Sequence, residues 1–144
     1  LTKAYKALEV LLMLLLLMGA GQAYAVNIIT NANNSAETIS QREVRAIYSL
    51  YLKRWNDGTS VKVYTLRDEN ALHIRFCKEN LHIFPHQLRA AWDRVTFAGT
   101  GQAPIVVKSV QEIVKRVAKT PGAIGYIDKT DQLPEGVKIL KVNK

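Results

Sequence analysis

Apolar and polar positions fall into short blocks whose period switches repeatedly between two residues and about three and a half, the mark of strands alternating with helices. Val26-Asn27-Ile28-Ile29 is an apolar run of strand type. Asn31, Asn33, Asn34 and Ser35 follow as a polar loop whose side chains can bond backbone or ligand. Ser40-Gln41-Arg42-Glu43 has the form of a capping box. Val44, Ile47, Tyr48 and Tyr51 then recur at helical spacing, which predicts a helix over about residues 41–53 with Trp55 closing its buried stripe. Asn56-Asp57-Gly58 is a turn signal, and Val61, Val63, Tyr64 and Leu66 make a β-rich run after it.

The polar stretch Arg67-Asp68-Glu69-Asn70 leads into Leu72, Phe76 and Cys77 at near-helical spacing, with Asn70 as the natural N-cap. Pro85 opens a further helix with Leu88, Ala91, Trp92 and Val95 on its apolar face, broken by Gly99-Thr100-Gly101. Ile105-Val106-Val107 reads as a strand. Ser109-Val110-Gln111-Glu112 is a second capping box, opening the clearest amphipathic helix through Val110, Ile113, Val114, Val117 and Ala118. Past Pro121-Gly122, the run Ala123-Ile124-Gly125-Tyr126-Ile127 is a buried strand, and Val137 to Val142 is the last. This order predicts an α/β fold, a mixed or mostly parallel sheet covered by helices, in one domain over residues 26–144.

Residues 1–25 break the pattern. Lys3 and Lys6 precede the apolar run Val10 to Met18, and small and polar residues end in Ala23-Tyr24-Ala25. A spanning helix needs about 20 apolar residues, so the order reads as a secretory signal peptide cleaved after Ala25, rather than an anchor or a buried helix. The expected location is the periplasm. Taking Lys3, Lys6 and Glu9 from 20 basic and 12 acidic side chains leaves 18 and 11, a net +7 that suits an anion or an acidic partner. Export argues against nucleic acid. The single Cys77 has no internal disulfide partner and is expected to be a buried thiol.

Motifs for catalysis are missing: no Walker loop, H-E-x-x-H, C-x-x-C or G-x-S-x-G appears. No nucleophile, base and orienting group can be assembled, so no enzyme is expected, and no cofactor. The pairs His82/His86 and His73/Cys77 sit four apart, but Pro85 interrupts the first, and ordinary surface or cap histidines are the reading preferred over a metal site. Lys108, Lys115, Arg116 and Lys119 carry no interleaved aromatics for stacking on bases, so they read as a solvated face. Tyr48, Tyr51 and Trp92 fall at core spacing. The stretch singled out is Arg67 through Ala71. A strand end bearing an Arg before a helix start supplies a cation and free N–H groups for an anion, although Asp68 and Glu69 add negative charge and an ordinary turn with Arg67 paired to an acid fits as well.

Ile47-Tyr48, Trp55-Asn56-Asp57-Gly58, the Val61-to-Arg67 strand and Pro121-Gly122-Ala123-Ile124-Gly125-Tyr126-Ile127 together resemble the phosphate-binding component of the bacterial phosphate ABC transporter, from Val26 to about Lys129. The resemblance implies a type II periplasmic-binding-protein fold, three-layered, with this chain similar to a single lobe. It also implies that Arg67 is the phosphate-gripping arginine. The family's Ser-Gly-Thr turn does not carry over, because Glu69-Asn70-Ala71-Leu72 has neither hydroxyl. Each hydroxyl bond lost to a charged oxyanion costs ~1.5–3 kcal/mol, so binding by the lone chain is expected to be weak.

The expected function is an exported, non-catalytic phosphate or oxyanion binder. Arg67 is its cation, Asn70 and the N–H groups of Ala71 and Leu72 its neutral donors, and the Asn31–Ser35 loop its second wall. The partners expected are inorganic phosphate and either ABC-transporter membrane components or another envelope protein, and pairing of two copies is the natural repair of a missing lobe. The alternative is a protein-interaction module of the envelope that kept the fold and lost the phosphate site.

Overall fold

The computed structural model describes residues 2–17, 25–128 and 133–144. Helix α1 (Thr2–Leu17) stands apart from the rest, with every side chain from Thr2 to Leu15 exposed. A buried N-terminal helix is therefore excluded. The residues around the expected cleavage site, up to Tyr24, lie outside the described residues.

The remainder runs β1 (Asn27–Asn31), β2 (Thr38–Ser40), α2 (Gln41–Tyr48), β3 (Lys62–Thr65), α3 (Ala71–Phe76), α4 (Pro85–Phe97), β4 (Ile105–Val106), α5 (Val110–Lys119), β5 (Ala123–Ile127) and β6 (Val137–Asn143). One six-stranded sheet has the order β2-β6-β1-β5-β3-β4. The pairs β2–β6, β3–β5 and β3–β4 are parallel, whereas β1 is antiparallel to both β5 and β6, so the sheet is mixed as expected.

Strand β5 is buried along its whole length because helices cover both faces. A Cβ at Gly125 would meet Ile113 and Val117 of α5, while the next residue, Tyr126, packs its ring on Tyr48 of α2 and Phe76 of α3. The alternation of strand side chains thus produces three layers: α5, the sheet, and α2 with α3 and α4.

Local chemistry explains the helix starts. Ser40 and Glu43 close the capping box reciprocally, and Pro85 occupies the first turn of α4, where no backbone donor is lost. Ser109 caps α5 by accepting from Glu112 N–H, but the Glu112 carboxylate reaches back to Lys108 N–H at 3.1 Å rather than to Ser109, so the second box is not reciprocal.

Helix α2 ends at Tyr48, five residues before the expected end, because Leu50 turns left-handed (φ 67°). That reversal buries Leu50 and turns Tyr51 out to 79% exposure, so Tyr51 is not a core residue, whereas Tyr48 and Trp92 are. After Phe76 the helix widens into a π turn over Cys77–Leu81 and ends on a left-handed His82.

Candidate functional site

Strand polarity decides what can meet Arg67. Strand β3 is parallel to β5 (Lys62 beside Ala123), and β1 is antiparallel to β5 (Thr30 beside Ile124). The carboxyl end of β1 therefore lies where β3 begins, and Arg67 lies past the end of β3, about 16 Å away at 3.3 Å per residue. The starts of α2, α3 and α5 follow the ends of β2, β3 and β4 and gather on the Arg67 edge, the usual ligand edge of an α/β sheet.

The Asn31–Ser35 loop is accordingly not a second wall for Arg67, and its polar groups have structural partners. Asn31 ends β1 and is buried. Its amide donates to Val117 and Ala118 carbonyls at 2.9 and 3.2 Å, closing the carboxyl end of α5. Asn34 bonds Thr30 Oγ1 and the Ala36 N–H, and Ser35 donates to Asp57 Oδ2 at 3.2 Å. The loop's side chains thus bond both backbone and neighbouring side chains.

At the other edge, Arg67 is exposed and forms no ion pair among the described residues. Asn70 is the N-cap of α3, as expected, accepting from Leu72 N–H at 2.9 Å and His73 N–H at 3.4 Å. The Leu72 N–H is thus engaged by Asn70 and is not an open donor. The exposed Ala71 N–H and the Asn70 amide NH₂ remain, with no hydrogen-bond partner among the described residues.

Asp68 turns away from Arg67. Its two oxygens take Nε and Nη2 of Arg89, on α4, at 2.6 and 2.9 Å, and this pairing holds its carboxyl below the ordinary range. Arg89 lies over the Trp92 ring at 5.6 Å. Nothing in the local pattern points to Arg89, because the pair spans 21 residues.

Behind this edge lies a polar network in the core. The Leu66 N–H donates to the Tyr126 hydroxyl oxygen at 2.9 Å, and the hydroxyl stands 2.5 Å from His73 Nδ1 and 3.0 Å from Thr65 Oγ1. The hydroxyl and Nδ1 share one proton between them, donated by whichever the His73 tautomer leaves protonated, and Thr65 Oγ1 also lies 3.2 Å from Nδ1. The other ring nitrogen, Nε2, faces Cys77 Sγ at 3.5 Å and Asp68 Oδ1 at 4.0 Å.

His73 is a fully buried residue and not a surface or cap histidine. Cys77 is the buried thiol expected, pushed up to about 12 chiefly by burial, and so stays protonated and unreactive. His82 contacts Gln41 and His86 stacks on Phe84, so this pair does not converge. Among the described residues no three metal-ligating side chains come together. Lys108, Lys115, Arg116 and Lys119 are exposed, with Arg116 paired to Glu112 at 3.4 Å.

The buried His73 sets a pH dependence. Desolvation lowers its pKa, opposed by Asp68 and aided by Arg89. The unfolded chain therefore takes the proton first as pH falls below 6.5, and stability is expected to be complete above that value and to drop through the window beneath it. Urea midpoints measured between about pH 7.5 and 5 should decline, and His73→Gln should flatten that decline. An equal slope in both proteins would refute the assignment. Asp68, with its pKa below 3.8, acts only at more acid pH.

A family model described as a PBP superfamily domain matches residues 23–142. Among solved structures, the fold is shared with PstS from Borrelia burgdorferi at TM-score 0.65 and 20% identity, covering 83% of this chain and 47% of that one. A phosphate ABC transporter substrate-binding protein with bound phosphate from Clostridium perfringens matches at TM-score 0.63 and 17% identity, covering 83% and 45%. An ABC-type phosphate transport receptor from Vibrio cholerae matches at 0.59 and 16%, covering 83% and 46%. The chain spans a little under half the length of each of these structures. A search of curated proteins found no significant match.

Proposed function

Because the chain belongs to the PBP superfamily, we propose that it is an exported, non-catalytic oxyanion-binding protein, with phosphate as its ligand and Arg67 as the cation that meets it. The observation carrying this reading is that Arg67 stands past the carboxyl end of β3 with no ion pair among the described residues, beside a helix start where the Ala71 N–H and the Asn70 amide have no partner among them. An exposed guanidinium and two neutral donors at a strand end are the chemistry that grips an oxyanion. Binding is weak in this reading, because neither hydroxyl of the related turn is present and the Leu72 N–H is occupied.

Residues 1–25 are the export leader in this proposal, with cleavage after Ala25 releasing residues 26–144 to the periplasm. The apolar α1, exposed from Thr2 to Leu15, fits a segment that is read by export machinery and removed. Among the described residues no helix is long and apolar enough to cross a membrane. Membrane components of a phosphate transporter are the proposed partners.

A second reading is favoured by the Asn31–Ser35 loop, which stands at the opposite edge of the sheet and leaves Arg67 with one wall. An interaction module that kept the fold and lost its ligand would look the same, with its cationic surface meeting an acidic envelope partner.

Thermal melting separates the two. At a phosphate concentration about tenfold above Kd, an oxyanion receptor gains ~1.4 kcal/mol, seen as a Tm rise of roughly 5 °C. Sulfate and chloride at matched ionic strength remove general screening. Arg67→Ala should abolish the rise. No rise with any anion in the unsubstituted protein would favour the interaction module.

A further inference from the structure

We infer that Arg89 is a positioning residue of this site: by capturing Asp68 it keeps Arg67 open to an anion. The inference rests on the oxyanion reading proposed above. Arg67 and Asp68 are neighbours in sequence at the exit of β3, where opposite charges pair readily if nothing else claims them. Asp68 is claimed by a different guanidinium. From α4, the Arg89 guanidinium takes both carboxylate oxygens in a forked pair, and from α3 the His73 Nε2 lies 4.0 Å from Oδ1.

The fork is itself anchored. Arg89 lies over the Trp92 ring, and Trp92 is buried with its indole N–H donating to the Tyr48 carbonyl at 2.6 Å. The helix that brings Arg89 to the edge is thereby tied to the core through the residue beneath the guanidinium. The outcome is visible at Arg67, which makes no ion pair among the described residues although an acid adjoins it in sequence.

The pair contributes little to folding, because both partners are exposed enough for water and salt to screen them, at 45% and 33% of side-chain surface. Its effect falls on the charge offered by the site. With Arg89 in place Asp68 is neutralised by its own partner, and the edge presents Arg67. Without Arg89 the carboxylate turns to Arg67 and the anion meets a neutralised pair. A lysine is a poor substitute, since a single ammonium cannot occupy both oxygens in one plane.

The test uses Arg89→Gln, Asp68→Asn and the double variant, titrated with inorganic phosphate at constant ionic strength. Arg89→Gln is expected to weaken binding about tenfold, the scale of one charged contact to the anion. Asp68→Asn should bind at least as well as the unsubstituted protein, and the double variant should recover that affinity. Recovery is a readout that a merely structural role would not produce. Unchanged binding in Arg89→Gln, or a double variant as weak as Arg89→Gln, overturns the inference.

A second measurement needs no anion: labelling with an arginine-specific dicarbonyl, followed by peptide mapping. Arg67 should react more slowly in Arg89→Gln than in the unsubstituted protein, and at the original rate in the double variant. If phosphate does not bind the unsubstituted protein, the oxyanion reading falls. The labelling still decides the role of Arg89, with an unchanged Arg67 rate counting against it.

Discussion

Gly122→Ala is expected to be the most damaging alanine substitution among the described glycines. Gly122 lies at φ +75°, and a Cβ there would fall 2.2 Å from the Ser60 carbonyl oxygen and 3.0 Å from Thr59 Cγ2. A left-handed conformation costs a residue with a Cβ about 1–2 kcal/mol, and forcing backbone apart costs about 1–3 more, so a loss of roughly 2–5 kcal/mol is expected. The Gly122 carbonyl also accepts the Trp55 indole N–H at 2.9 Å and the Lys62 N–H at 3.1 Å. Displacing it disturbs the start of β3, and with it the strand that carries Arg67. Gly58→Ala is the control: φ is +87° and nothing lies within 4 Å of a Cβ there, so only the ~1–2 kcal/mol conformational cost applies. Urea midpoints at unchanged m measure both, and equal losses in the two variants would refute the clash.

Tyr126→Phe is expected to cost about 2–4 kcal/mol, although it removes only one oxygen, because the buried Leu66 N–H loses its partner at about 1–3 kcal/mol and the bond to His73 Nδ1, which keeps Thr65 Oγ1 at 3.2 Å, goes at about 1 more. The ring would keep its stack on Phe76, 4.0 Å between centroids at 8°. The loss falls on the Leu66 N–H and His73 Nδ1, both bonded to the hydroxyl. Tyr48→Phe offers the contrast. Tyr48 is equally buried, but its hydroxyl makes one bond, to the Tyr64 carbonyl at 3.2 Å, so about 1 kcal/mol is expected. Denaturant unfolding of the two variants compares them directly. Equal costs would mean that the Tyr126 hydroxyl does not hold His73 and the end of β3 together. Leu66 immediately precedes Arg67, so the same loss would loosen the strand end that presents the cation.

The sequence by itself determined what depends on near neighbours. Ser40 with Glu43, Asn70 with Leu72, and Pro85 each start a helix through bonds or ring geometry spanning a few residues, and all three are where the pattern placed them. The apolar run of β5 is legible because a strand covered on both faces cannot tolerate polar side chains. The resemblance carried by the Pro121-to-Ile127 stretch agrees with the match to the PBP superfamily.

Tertiary structure alone decided which of these pieces meet. No local signal distinguishes a β1 antiparallel to β5 from a parallel one, yet that choice sends the Asn31–Ser35 loop to the edge opposite Arg67. The same holds for the early reversal at Leu50 that exposes Tyr51, for the burial of His73 against Tyr126, and for the capture of Asp68 by Arg89. The last two contacts join residues 53 and 21 positions apart. Short-range bonding is written in adjacent residues, whereas strand direction and charge pairing follow from packing the whole core at once.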